Sequence, residues 1–105
     1  MAKTKNKSKA RALNIKVWPE QNDRIWRLIS ISEDKTLKDL QQIISREFQL
    51  AGEHLWCFYL GDAPFLSKHA IGGPRAGTER KAGKTSLKSL QVKRGGRFYF
   101  VFDFC

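Results

Sequence analysis

No stretch of this 105-residue chain approaches the ~18 consecutive apolar side chains of a membrane span, and no apolar run follows its first residues as a secretory leader would. The expectation is a cytoplasmic protein with no membrane partner. Cysteine is scarce: Cys57 and Cys105 form no C-x-x-C pair, which suits a reducing compartment. Histidine is scarcer in useful positions. His54 and Cys57 stand three apart in what reads as a strand, where they point to opposite faces, so a packing role is expected and no metal or cofactor. The length allows one domain with a single core and leaves no room for a deep cleft between two.

Acidic residues are also short, with 10 against 20 Lys and Arg, for a net charge of +10. The imbalance is uneven. Residues 1–11 hold five basic side chains and no acid, residues 12–60 are near neutral, and residues 61–97 hold nine basic and two acidic ones. Such a field favours polyanions, nucleic acid or acidic protein surfaces, and is silent about fold.

The stretch GTERKAGKTS, residues 77–86, comes close to a phosphate-binding P-loop. The motif requires four residues between its first Gly and the Gly-Lys pair, and here five separate Gly77 from Gly83. Its flanks lack the apolar strand and the full helix that would aim backbone N–H groups at a phosphate. A solvated basic loop is the expectation, with Lys84 exposed.

Along the chain, MAKTKNKSKAR has no apolar anchor, and residues 1–12 are expected to be a disordered basic tail. Leu13, Ile15 and Val17 then alternate with Asn14, Lys16 and Trp18, PEQND turns the chain, and RIWRLISIS returns as a second strand with Ile29 and Ile31 inward. Ser32 or Thr36 caps a helix carrying Leu37, Leu40, Ile43, Ile44 and Phe48 at helical spacing, which ends before Gly52. HLWCFYLG is a strand apolar on both faces, residues 61–85 a long flexible Gly-rich loop, TSLKSL a short helical turn, and RFYFVFDFC a last strand. The fold class is α+β, in the order β-β-α-β-(short helix)-β, with one domain over residues 13–105.

That order, with a Thr-Leu helix start, a strand ending in Leu-Gly and a later Ser-Leu turn, resembles the ubiquitin-like β-grasp over about residues 13–104. The resemblance implies a mixed sheet whose first and last strands run parallel in the centre, with the helix across one face. Its core candidates are Leu13, Ile15, Val17, Ile29, Ile31, Tyr59, Phe98, Phe100 and Phe102. A second resemblance is to the plasmid ORF-3-like family of bacterial and archaeal proteins, associated with mobile elements. It is carried by Ile25, Trp26, Arg27, Thr36, Leu37, Asp39, Leu40, His54, Leu55, Phe58, Phe98, Phe100, Asp103 and Phe104. Phe102 stands where that family's pattern has Tyr, and Cys105 where it continues with Gly-Asp. The resemblance implies no defined activity.

For function, the inventory of nucleophiles, bases and orienting partners is nearly empty, so no enzyme and no catalytic residue is expected. If Leu55, Cys57 and Tyr59 face the helix, the opposite sheet face collects Trp56, Phe58, Tyr99 and Val101, with Trp26 nearby. Such a patch suits an unidentified protein partner, a second copy of the chain being one option. The alternative is nucleic-acid binding, with phosphate contacts from Lys3, Lys5, Lys7, Lys9, Arg11, Arg75, Arg80, Lys81, Lys84, Lys93, Arg94 and Arg97.

Overall fold

A computed structural model describes residues 10–50, 54–61 and 70–102. Two strands open the chain, β1 (Ala12–Val17) and β2 (Arg27–Ser32), and they form the expected antiparallel hairpin with Leu13 opposite Ile31 and Ile15 opposite Ile29. Alternation decides its faces. Ile29 and Ile31 are buried, with Leu13, Ile15 and Val17 half-buried against the same core, while Asn14, Lys16 and Leu28 point to solvent.

The helix α1 (Leu37–Glu47) begins at a capping box. Thr36 Oγ1 accepts the Asp39 N–H at 3.2 Å, and Asp39 Oδ2 accepts the Thr36 N–H at 2.9 Å, so two N–H groups with no intrahelical partner are satisfied at once. Leu37, Leu40 and Ile44 are buried as their spacing requires. Farther along, α2 (Leu87–Leu90) is a single turn capped by Ser86. The two helix starts are joined through the backbone: Leu37 N–H donates to the Thr85 carbonyl at 3.0 Å, Leu87 N–H to Lys35 at 2.8 Å, and Lys88 N–H to Glu33 at 2.8 Å.

The remaining strands are β3 (Trp56–Leu60), β4 (Ala70–Gly72), β5 (Arg80–Lys81) and β6 (Phe98–Phe102), hydrogen-bonded in the order β5-β4-β3-β6. The pairing of β4 with β5 is parallel and the others are antiparallel, so the sheet is mixed. Among the described residues β1 pairs with β2 alone, and β6 pairs with β3 rather than in parallel with β1. The chain is therefore a small α+β domain with a mixed sheet and two helices, and the central parallel pair of the expected sheet is not among its described pairings.

Residues 70–84 depart from the expected flexible loop. They hold β4, β5 and a 3₁₀ turn (Ala82–Lys84), with Ile71 and Ala82 wholly buried. Two features escape a composition-based reading. Small residues permit close approach: Gly73 N–H donates to the Trp56 carbonyl at 3.0 Å, and a methyl group added at Gly73 would overlap the Trp56 indole. Threonines supply bonds that a loop would otherwise lack. Thr78 Oγ1 accepts the Gly72 N–H at 2.9 Å and donates to the Arg80 carbonyl at 2.7 Å, while Thr85 Oγ1 donates to the Lys81 carbonyl at 2.8 Å. Residues 62–69 of the expected loop lie outside the described residues, as do residues 1–9 of the expected tail.

Candidate functional site

The β3–β6 register reverses the expected face assignment. Phe58 lies opposite Phe100 and Trp56 opposite Phe102, whereas Cys57 lies opposite Val101 and Tyr59 opposite Tyr99. Directly opposed residues share a face. Trp56 and Phe58 therefore join Phe98, Phe100 and Phe102 in the core beneath α1, with Leu37, Leu40 and Ile44. Phe58 is wholly buried and Trp56 nearly so, so neither forms an exposed patch with Tyr99 and Val101. Those two instead pack half-buried with Cys57, Tyr59 and Ala70 in a second, smaller cluster, which also removes Tyr59 from the expected helix-facing core. The reversal has a physical source: WCFYL is apolar at every position, so its alternation cannot say which face is which.

Of the expected aromatic set, Trp26 remains exposed, and Trp18 is exposed beside it. One step past the last hairpin pair, Val17 opposite Arg27, Trp18 and Trp26 flank the turn, 37% and 49% exposed. Lys16 Nζ lies 5.7 Å from the Trp18 ring centroid and 5.1 Å from that of Trp26. The Arg97 guanidinium, just before β6, lies 5.9 Å from the Trp18 centroid. Each is within the range at which a ring's electron-rich face attracts a cation. The signal was present in the sequence as Lys16 on the outer face of β1 and Trp18 two residues on, just past its end.

Arg97 also lines an open concavity at the end of the β3–β6 pair, with Gly61, Gly95, Gly96 and Tyr99. The turn that shapes it depends on Gly95, whose φ of +82° a side chain would strain, and on the Gly96 N–H, which donates to the Lys93 carbonyl at 2.8 Å. Lys93, Arg94 and Arg97 are all exposed along this turn. One surface thus joins the outer hairpin face, the basic turn and the concavity, with Arg97 common to its parts.

The other basic candidates are not gathered there. Arg75, Arg80 and Lys84 are exposed, but Arg80 lies on β5, at the opposite edge of the sheet from β6. Lys81 is half-buried, its ammonium donating to the Ala76 carbonyl. Arg11 is committed to the fold: its N–H donates to Glu33 Oε2 at 3.1 Å and its guanidinium lies 3.7 Å from Glu33 Oε1. Lys3, Lys5, Lys7 and Lys9 lie outside the described residues.

Arg27 plays a positioning part. It lies 5.8 Å from the Phe48 ring centroid and 3.7 Å from Glu47 Oε1, which sets the hairpin against the end of α1. Gly83 and Lys84 belong to the 3₁₀ turn, preceded by the two-residue β5 and followed by the single turn of α2, so the P-loop architecture is missing on both sides. Among the described residues no cluster of three or more His, Cys, Asp or Glu could hold a metal ion. His54 sits edge-on to Phe102 at 5.1 Å. Cys57 is wholly buried and disulfide-bonded, contrary to the expectation of reduced thiols. No helix among the described residues is long and apolar enough to cross a membrane.

Residues 10–105 match the family model described as plasmid pRiA4b ORF-3-like protein. No curated protein and no solved structure matches the chain.

Proposed function

The chain belongs to the plasmid pRiA4b ORF-3-like family, and we propose that it is a small non-enzymatic interaction module that holds an anionic macromolecule on the face of Lys16, Trp18, Trp26 and Arg97. The observation that carries this reading is the arrangement of two exposed indoles around one ammonium, with Arg97 bridging one of them to the concavity beside Tyr99. Tryptophan and arginine dominate binding energies because they combine large apolar area with directed polar groups. A purely apolar protein interface of Trp56 and Phe58 on an open sheet face is not available, because both side chains fill the core.

The β-grasp arrangement is part of the proposal. Its supports are the backbone bonds joining the α1 start to α2 and the packing of Leu13, Ile15 and Val17 on the same core as Phe98, Phe100 and Phe102. Parallel cross-strand proton contacts between β1 and β6 are the expected observation; two sheets exchanging no such contacts would reject it. A cytoplasmic location is proposed from composition alone, and the bonded Cys57 stands against it, since reducing compartments keep such bonds open.

The binding reading is tested on a heparin column. Lys16→Gln with Arg97→Gln should lower the salt needed for elution clearly more than Arg75→Gln with Arg80→Gln, although each pair removes two charges. Equal shifts would mean that charge is bound without regard to place, and would sink the reading.

A further inference from the structure

Resting on that reading, we infer that the partner is a single-stranded nucleic acid, its bases stacked on Trp18 and Trp26 and a backbone phosphate seated on Arg97. The first support is charge complementarity. The chain carries +10, and Lys93, Arg94 and Arg97 are exposed on the turn that borders the concavity. A strand of phosphodiesters neutralises such a surface and releases its own counterions in doing so.

The second support is ring geometry. Trp18 and Trp26 are exposed and both lie close to one ammonium, so they are near neighbours on one face. A carboxylate is repelled by the electron-rich face of an indole, whereas a planar base stacks on it. A single strand of nucleic acid uses both features of the face, its phosphates on the cations and its bases on the rings.

The third support concerns strandedness. Stacking demands unpaired bases, which a duplex withholds.

The test uses the full chain, an oligothymidylate of about 15 nucleotides, a duplex of the same length, and heparin as a polyanion that cannot stack, each followed by fluorescence anisotropy. The expected result is tighter binding of the single strand than of the duplex. Trp18→Ala and Trp26→Ala should each weaken it about tenfold or more, with unchanged melting temperature and little change toward heparin. Arg97→Gln should lower the slope of log affinity against log salt by about one. Equal affinity for strand and duplex, or single-strand binding indifferent to both tryptophans, overturns the inference. If heparin binding still falls with Lys16→Gln and Arg97→Gln, the interaction-module reading survives that failure. If no ligand responds to any of these variants, both fall.

Discussion

Phe58 stands directly opposite Phe100 across the β3–β6 pair, with ring centroids 4.9 Å apart and Phe58 wholly buried. Around them pack Trp56, at 6.0 Å from both rings, and Phe98, at 6.0 Å from Phe58. This aromatic layer belongs to the same buried cluster as Leu37, Leu40 and Ile44 of α1.

Phe58→Ala should therefore destabilise the protein by about 3–5 kcal/mol, the penalty of a large cavity in a packed core. Chemical denaturation checks it. A loss under about 1 kcal/mol would mean that the side chain is not in the core.

Gly73 and Gly77 should respond oppositely to the same change. A methyl at Gly73 collides with the Trp56 indole, so Gly73→Ala should cost about 1–3 kcal/mol, as overpacking does. Gly77 has nothing within 4 Å of an added Cβ, and Gly77→Ala should stay within about 0.5 kcal/mol of the parent. The pair of melting curves separates an ordered 70–84 segment from a loose loop.

The capping box carries a pH dependence. The N–H of Thr36 first, then its hydroxyl and the nearby Lys35 and Lys38, hold the Asp39 carboxyl below its ordinary value of 3.8 despite some burial. A carboxylate with a lowered folded-state pKa contributes stability that is present above about 3.8 and fades as pH falls through the folded value. Asp39→Asn should remove that part of the acid sensitivity while leaving a helix capped by Thr36. Thr36→Ala should cost about 1 kcal/mol at neutral pH. An unaltered acid unfolding curve for Asp39→Asn would contradict the assignment.

The parts of this fold that were legible in the sequence are those where one physical signal acted alone. Leu13, Ile15 and Val17 alternate with polar neighbours, so their inward face was readable, and Ser32 or Thr36 marked the helix start, the cap itself falling at Thr36. The face of β3 was not readable, because Trp56, Cys57, Phe58 and Tyr59 are all buried and the register to β6 alone decides between them. Nor were β4 and β5. Their order depends on Thr78 and Thr85 bridging backbone groups and on Gly73 admitting an indole, contacts between residues that local propensity treats as loop formers. For the site, Trp26 and Arg97 were legible as an aromatic and a charge, but their meeting through Trp18 and Lys16 depends on tertiary placement.

Exposed tryptophans used for binding should be dispensable for folding. Trp18→Ala and Trp26→Ala should each shift stability by no more than about 1 kcal/mol, the order of an exposed cation–π contact. A collapse of the melting transition in either variant would assign that ring to the core.

The most direct measurement is a proton–nitrogen NMR spectrum of the indole N–H groups during titration with an oligothymidylate. The chain has three tryptophans, and their environments differ: Trp18 and Trp26 are exposed beside Lys16 and Arg97, while Trp56 is buried beneath α1. The Trp18 and Trp26 resonances should move together and saturate, with Trp56 unchanged as the internal control. Saturable binding that leaves Trp18 and Trp26 in place, or that moves Trp56 alone, would contradict binding at those two rings.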